Sequence, residues 1–241
     1  MVEFRILGPF EVVEHDQPLV LGGSKQRALL AILLLHRGEV VSTDRLGDEL
    51  WGERPPASAA KTVQAYVSNL RRALGDGLLV TRGHGYLLDV KPGQVDASRF
   101  EELVKEGRRA LQACDPRVAA EHLHCALALW PGSALADFAY EEFCQSEVGR
   151  LEEAKLAALE DRIDAELALG EHAALVPELD ALVREHPLRE RFQCQLMLAL
   201  YRAGRQADAL GLYQRARHRL VDELGMEPGP ELQQLERAIL A

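Results

Sequence analysis

The chain lacks the long apolar run that a membrane-spanning helix requires. The longest uninterrupted apolar stretch in its 241 residues, at 28–35, is much shorter than the ~20 residues of a membrane span. The N-terminal segment also lacks a basic region followed by an apolar region, which is the pattern of a secretory signal. These absences predict a cytoplasmic protein that does not insert into a membrane.

Cysteine is scarce, and its spacing indicates neither a disulfide framework nor a metal site. The sequence contains no CxxC pair. His122, His124 and Cys125 are close in sequence, but residues two apart on a helix point to different faces. We therefore predict no bound metal ion. We also predict reduced, buried thiols at the four cysteines, which are Cys114, Cys125, Cys144 and Cys194.

The motifs of common enzyme classes are also missing. The sequence contains no GxxxxGK(S/T) phosphate loop, no GxSxG nucleophile elbow and no HExxH zinc motif. It also lacks a clustered pair of carboxylates beside a suitable base. We expect neither enzymatic activity nor a cofactor.

Acidic residues outnumber basic ones, which at first argues against nucleic acid as a partner. The net charge is −10, but residues 1–95 contain 11 basic and 11 acidic side chains. The remaining residues contain 17 basic and 27 acidic side chains, so the whole negative excess lies there. A neutral N-terminal half can still bind DNA when its cations converge on one face, because phosphate contacts act locally.

The N-terminal residues predict a small antiparallel sheet. Residues 2–13 show the apolar alternation of a half-buried strand, which Gly8-Pro9 interrupts to give two short strands. A turn at residues 16–18 and a third strand at residues 19–21 follow.

Three helices and a hairpin come next in the chain. Ser24, Ser42 or Thr43, and Ser58 are the predicted N-caps of the helices. Loops at residues 52–56 and 75–77 separate the later elements. This order predicts a winged helix-turn-helix domain. Its helices are expected at 24–36, 43–51 and 58–74, and the strands of its hairpin at 78–81 and 86–90.

The third helix carries the residue types that read DNA. Its apolar face consists of Val63, Tyr66, Val67, Leu70 and Leu74, and no acidic residue occurs at 57–74. In a winged helix this element enters the major groove, where Gln and Asn pair with adenine and Arg pairs with guanine. A solvated polar face is the alternative interpretation. The candidate contacts are Lys61, Thr62, Gln64, Ser68, Asn69, Arg71 and Arg72.

Two further basic segments belong to the same predicted domain. Arg82 and His84 occupy the hairpin turn, where an arginine can contact the minor groove or its phosphates. Ser24, Lys25 and Arg27 begin the first helix, whose N–H groups and positive dipole end suit a phosphate. A plain turn and an ordinary capped helix start are the alternatives.

Beyond residues 91–94 the pattern becomes wholly helical, so we predict domains at residues 1–93 and 94–241. Gly170 and Gly204 lie 34 residues apart, each between two amphipathic helices, which is the tetratricopeptide period. A weaker copy surrounds Cys114, and a plain helical bundle is the alternative. The predicted fold is mainly α with a small β part: a winged helix-turn-helix followed by an all-α tetratricopeptide-like repeat domain. Its repeat helices are expected at 97–112, 115–129, 138–169, 171–185, 188–203, 206–223 and 229–240.

Several phrases resemble known regulators. LGDELW at 46–51, TVQAYVSNLRR at 62–72 and TRGHGY at 81–86 resemble the DNA-binding domain of OmpR/PhoB-type regulators, the effector domain of two-component systems. Four later phrases resemble the bacterial transcriptional activator domain: ALALWPG at 126–132, HPLRE at 186–190, ALYRAGR at 199–205 and ELGMEPGPEL at 223–232. Together the two halves resemble the Streptomyces antibiotic regulatory protein family over nearly the whole chain.

That resemblance implies an activator of secondary-metabolite gene clusters. Such a protein binds direct repeats near the −35 element of double-stranded promoter DNA and recruits RNA polymerase through its sigma factor. Lys61, Ser68, Asn69 and Arg71 match recognition-helix contact positions, Tyr66 matches a phosphate contact, and Arg82 matches the wing arginine. Ser68 and Asn69 stand where PhoB-type proteins often have basic residues. Tandem sites favour two protomers, so we expect a homodimer at least on DNA.

Two other functions are compatible with the same sequence. The acidic repeat domain could be a protein-interaction or ligand-sensing module in a protein that binds DNA weakly. A repressor would have the same DNA-binding domain as an activator.

Overall fold

The computed structural model describes residues 2–52, 54–75 and 77–241. Glu53 and Asp76, which the sequence analysis assigns to loops, lie outside the described residues. The fold is mainly helical with two small sheets, as predicted. Its residues divide into two compact units. The first consists of Met1–Leu103 and Cys125–Lys155, and the second of Val104–His124 and Leu156–Ala241.

The N-terminal sheet has three antiparallel strands in the order β1-β2-β3: β1 (Val2–Arg5), β2 (Glu11–Glu14) and β3 (Gln17–Pro18). The predicted turn at 16–18 and strand at 19–21 are wrong, because the chain turns at His15 and Asp16, whose φ angles are 51° and 60°. Asp and His are among the few non-glycine residues that often adopt positive φ. The early turn pairs Glu14 with Gln17 and ends the strand before Leu19.

The winged helix contains three helices, α1 (Ser24–Leu35), α2 (Thr43–Trp51) and α3 (Ala59–Leu74). A second antiparallel sheet has the order β4-β6-β5, formed by β4 (Val41–Ser42), β5 (Leu79–Arg82) and β6 (Gly85–Leu88). These bounds lie within two residues of the predicted ones, and β4 occupies the position of a Val-Val pair in the sequence.

The predicted N-caps have different outcomes. Ser42 caps α2, because its side chain accepts a hydrogen bond from the backbone N–H of Arg45 at 3.2 Å. Ser24 is wrong as a cap, since Gly23 holds the extended N-cap conformation and Ser24 is the first helical residue. Ser58 stands at the N-cap position of α3 but its side chain makes no capping bond. The serines therefore mark where the helices begin, although only Ser42 makes the capping hydrogen bond.

The core of the winged helix is built around α1. Residues 28–34 of this helix are all at most 3% exposed, so it is enclosed on nearly every side. The α3 side chains that meet this core are Val63, Val67, Leu70 and Leu74, which confirms four of the five predicted apolar positions. Tyr66, the fifth, is only half-buried. Burial of this stripe orients the opposite side of α3 outward.

A buried carboxylate ties the first strand segment to α4 (Asp96–Gln112). The carboxylate of Asp96 accepts backbone N–H groups from Ile6 at 2.9 Å, Leu7 at 3.0 Å and Ala97 at 2.7 Å. Burial raises the pKa of Asp96, and these N–H groups oppose that rise. The side chain therefore satisfies backbone donors that have no strand partner where β1 ends.

We expect the Asp96→Asn substitution to lower the free energy of unfolding of the first unit by about 2 kcal/mol. The amide would turn an NH2 group toward N–H donors, which now share both carboxylate oxygens. Trp51 and Trp130 both lie in this unit, so urea unfolding followed by tryptophan fluorescence measures the loss. The exposed Asp89→Asn change is the control, and an equal effect of both substitutions would contradict the assignment.

Residues 125–155 belong to the first unit and pack against its N-terminal strands. Asp137, in a short 3-10 turn at Ala136–Phe138, accepts a hydrogen bond from the backbone N–H of Phe10 at 2.9 Å. The N–H of Leu135 donates to the carbonyl of Ile6 at 2.9 Å. A Cβ atom at Gly8 would lie 2.6 Å from the Cγ of Pro131, so this approach requires glycine.

The later helices are α5 (Pro116–Leu127), α6 (Glu142–Leu169), α7 (His172–Glu185), α8 (Glu190–Arg202), α9 (Gln206–Leu224) and α10 (Pro230–Leu240). Most bounds agree with the predicted ones to within two residues. The largest difference is at residues 128–141, where the sequence analysis continues one helix to 129 and starts the next at 138. The structure has turns at residues 128–129 and 139–140 in place of the predicted helix ends. Leu135, whose φ is 48°, lies between them, in the interval that the sequence also leaves non-helical. No helix within the described residues is long and apolar enough to cross a membrane.

The helical repeat is confirmed by identical turns. The N–H of Gly170 donates to Leu167 O, and 34 residues later Gly204 donates to Tyr201 O. The next residues also correspond, since Glu171 donates to Glu166 O and Arg205 to Leu200 O. Both glycines have positive φ, 93° and 77°. A residue just after the end of a helix commonly adopts this left-handed conformation, and glycine adopts it without strain. A continuous core joins α7 to α10, and its large members include Leu179, Phe192, Leu196, Leu200, Leu212 and Leu232.

The predicted weaker copy of the repeat also has this turn. Cys114 has a φ of 57°, its N–H donates to Leu111 O at 3.0 Å, and that of Asp115 donates to Ala110 O at 2.9 Å. Cys114 and Cys125 are exposed, whereas Cys144 is buried. The prediction that all four thiols are buried is therefore wrong, because the repeat places Cys114 at an exposed turn.

We expect the Cys114→Gly substitution to raise the free energy of unfolding of the second unit by about 1 kcal/mol, because glycine adopts positive φ without the strain of a Cβ atom. Thermal unfolding followed by far-ultraviolet circular dichroism measures the change. Gly204→Ala is the matched control: no atom lies within 4 Å of its added Cβ, so only the backbone strain should appear, with the opposite sign. A destabilised Cys114→Gly variant would contradict this explanation.

Candidate nucleic-acid interface

The outward side of α3 presents polar and small side chains to solvent. Its exposed residues are Ala60, Lys61, Gln64, Ala65, Ser68 and Arg72. Thr62, Tyr66, Asn69 and Arg71 are half-buried on its flanks. The structure therefore brings all the predicted α3 contacts to the accessible side of one helix, although not all are equally free to bind.

The most available cation on α3 is Lys61. No hydrogen bond or ion pair is recorded for its ammonium group, or for the side chains of Gln64 and Ser68, within residues 2–52, 54–75 and 77–241. Thr62 instead donates its hydroxyl to Ser58 O at 3.0 Å, back along its own helix. A ligand could therefore bond Lys61, Gln64 and Ser68 without breaking an internal contact.

Asn69 and Arg72 are held by a chain of hydrogen bonds that begins in α1. The side-chain Nε2 of Gln26 donates to Leu21 O at 2.6 Å, and the Nδ2 of Asn69 donates to Gln26 Oε1 at 3.1 Å. Arg72 in turn donates to Asn69 Oδ1. Because Gln26 is only 7% exposed, this chain connects the core to the outward face. These bonds occupy one N–H and one lone pair of the Asn69 amide, which leaves one of each for another partner.

Arg71 joins α3 to the neighbouring hairpin. Its Nε donates to Leu79 O at 2.8 Å and its Nη2 donates to Thr81 Oγ1 at 2.6 Å. Its guanidinium carbon also lies 6.0 Å from the centre of the Tyr86 ring. These contacts fix the orientation of the hairpin relative to the helix and occupy two of the five N–H donors that an arginine has.

The hairpin turn carries Arg82 and His84 at its exposed end. Gly83 has a φ of 56°, which suits the first central position of a two-residue hairpin turn. The carbonyl of His84 accepts two hydrogen bonds from Thr43, from its N–H at 3.1 Å and its hydroxyl at 3.0 Å. No partner is recorded for the Arg82 guanidinium among the residues that the structure describes. The backbone of the tip is thus anchored while its arginine stays available.

Two of the three predicted side chains at the start of α1 already have partners inside the protein. Lys25 donates its ammonium to Leu50 O at 2.6 Å, at the C-terminal end of α2. Arg27 donates to Phe10 O at 2.6 Å and forms an ion pair with Asp137 at 2.6 Å. Ser24 is exposed at the first position of the helix. Of this predicted group, Ser24 is therefore the side chain most open to a phosphate.

Two residues that position the site were missed from the sequence. Gln26 supports Asn69, and Thr43 anchors the hairpin tip through His84. The sequence pattern predicts Thr43 only as an alternative helix cap. Its contact with residue 84 is a tertiary one, so no local signal could have revealed it.

Two family models together match most of the chain. Residues 95–240 match the bacterial transcriptional activator domain. Residues 16–88 match the family described as "Transcriptional regulatory protein, C terminal". The two matched ranges leave residues 89–94 between them, and the sequence pattern predicts a boundary after residue 93.

Curated relatives match the chain over nearly its full length. It is 41% identical to the regulatory protein DnrI of Streptomyces peucetius, covering 99% of this chain and 92% of DnrI. It is 43% identical to the regulatory protein AfsR of Streptomyces coelicolor, again over 99% of this chain but only 24% of AfsR. The chain therefore spans nearly all of one relative and about a quarter of the other.

One solved structure is similar over the whole fold. Mycobacterium tuberculosis EmbR, solved in complex with a low-affinity phosphopeptide, superposes with a TM-score of 0.94 at 38% sequence identity. The match covers 99% of this chain and 65% of the EmbR chain. Its arrangement of a winged N-terminal domain and helical repeats thus also occurs in a solved relative.

Proposed function

The chain belongs to the Streptomyces antibiotic regulatory protein family of transcriptional regulators, and from this premise we propose that it activates a secondary-metabolite gene cluster. In this proposal it binds direct repeats near the −35 element of the promoter as a homodimer. It then recruits RNA polymerase through the sigma factor. Residues 1–93 form the DNA-binding domain, and residues 94–241 form the activator domain.

One observation carries the proposal: the outward side of α3 has no acidic residue, and its available cation, Lys61, belongs to the same domain as Arg82, which has no partner among the described residues. The rest of the sequence is rich in acids, so this selective absence suits a polyanion. A winged helix places such a helix in the major groove and its hairpin near the minor groove.

The contacts divide into three proposed roles. Gln64, Ser68, Asn69 and Arg72 face base edges, and Lys61, Tyr66, Arg82 and His84 contact the phosphate backbone or minor groove. Ser24 and the α1 N-terminus bind a further phosphate, near which Lys25 and Arg27 add positive potential while keeping their internal partners. Thr62 and Arg71 act mainly by holding α3 and the hairpin in place.

Footprinting with reconstituted RNA polymerase on the promoter beside its own gene tests the proposal. Protection of two repeats by the protein, with higher polymerase occupancy and more transcript, is the expected result. Protection together with less transcript would instead establish a repressor. Absence of protection at low salt would overturn DNA binding itself, because phosphate contacts are strongest under that condition.

A further inference from the structure

A surface groove in the second unit carries a concentration of arginine that DNA binding does not require. It has a volume of about 180 Å³ and lies along α7, α8 and α9. Its apolar lining comes from Val183, Leu212 and Ala216. Its charged rim includes Arg184, Arg215 and Arg219.

A buried acceptor without a partner lines the same groove. Gln193 is 1% exposed, and its Nε2 donates to Pro187 O at 2.6 Å. Its Oε1 is also buried but accepts no hydrogen bond from the described residues. An unsatisfied buried acceptor costs about 1–3 kcal/mol, so a ligand that supplies an N–H donor gains affinity there once a lining side chain moves to open the atom to the groove.

The arginines differ in how far their charge is already neutralised. Arg184 pairs with Asp180, which also lines the groove, at 2.9 Å. Arg219 lies 3.7 Å from Glu223, and both side chains are at least 45% exposed, so this pair is weak. Arg215 is exposed, and no partner is recorded for it in the described part of the chain. The groove therefore keeps positive charge in the half of the protein that holds all the negative excess.

We propose that this groove binds an acidic peptide segment of a partner protein. Its carboxylates pair with Arg215 and Arg219, a backbone or side-chain N–H donates to Gln193 Oε1, and an aliphatic stem packs on Leu212. A peptide supplies all three features, whereas a small inorganic anion supplies no amide N–H. The volume accommodates one or two side chains, so the remaining peptide lies along the helix surfaces.

Selection from a displayed library of random eight-residue peptides tests this inference on the full chain. The bait is the unaltered protein, and peptides that also bind the Arg215→Glu/Arg219→Glu double variant are removed. The peptides enriched by the selection should carry at least two Asp or Glu residues. A synthetic copy of an enriched peptide should bind at least tenfold more weakly to Arg215→Ala than to the unaltered protein, as measured by fluorescence anisotropy. Its affinity for the unaltered protein should also fall as salt is added.

Arg117→Ala is the matched control for Arg215→Ala, because it removes the same single charge at an exposed arginine of the same unit. It should leave the peptide affinity within about twofold, since salt screens distant exposed charges. Failure to enrich any peptide, enrichment of acid-free peptides, or equal binding to Arg215→Ala would each overturn the proposal. DNA binding is measured on the same variants, so failure here is distinguishable from failure of the DNA-binding proposal.

Discussion

Promoter DNA is expected to bind about 100-fold more weakly when Arg82 is replaced by glutamate. The substitution removes the proposed charge-assisted hydrogen bond to the DNA backbone and would place an anion beside phosphates, which together cost about 3 kcal/mol. Folding should be unaffected, because Arg82 is exposed and no internal partner is recorded for it in the described residues. Mobility-shift titrations at several salt concentrations measure the loss.

The salt dependence separates a local contact from a general charge effect. Loss of one phosphate contact should lower the slope of log K against log salt by about 1. Arg117→Glu makes the same change in net charge at an exposed position in the other compact unit, and should alter neither affinity nor slope appreciably. Undiminished binding by the Arg82 variant would remove the hairpin from the proposed interface.

A single methyl group at Gly85 is expected to destabilise the first unit by about 3 kcal/mol. The added Cβ would lie 2.3 Å from the carbonyl oxygen of Val41 and 2.9 Å from its carbon. Both are backbone atoms of the adjacent strand β4, so neither can move away as a flexible side chain would. Displacement of β4 would also disturb Ser42 and Thr43, which cap α2 and anchor the hairpin tip.

Gly83→Ala is the matched control for Gly85→Ala, since both glycines belong to the same hairpin. No atom lies within 4 Å of a Cβ at Gly83, so only its positive φ of 56° opposes the substitution, by about 1 kcal/mol. Urea unfolding followed by tryptophan fluorescence compares the two variants. Equal destabilisation would show that the approach of β4 and β6 is not the limiting feature.

The extent of the candidate site could be predicted because α3 has a strong apolar period. Burial of Val63, Val67 and Leu70 leaves Lys61 and Ser68 facing outward, whatever surrounds the helix. Which of the α3 side chains are free of internal hydrogen bonds could not be predicted in the same way. Arg71 and Asn69 have suitable side chains for bases, yet their hydrogen bonds go to a neighbouring strand and a buried glutamine.

Local pattern alone was enough to establish the kind and order of nearly every element, since helical periodicity, N-terminal polar residues and glycines act over a few residues. It failed where the backbone adopts positive φ at non-glycine residues, as at His15-Asp16. Which polar groups remain free depended on partners distant in sequence, such as Gln26 for Asn69, Asp137 for Arg27 and Thr43 for His84. Hydrogen bonds of this kind form only when separate elements pack together, so they belong to the folded chain and have no trace in its periodicity.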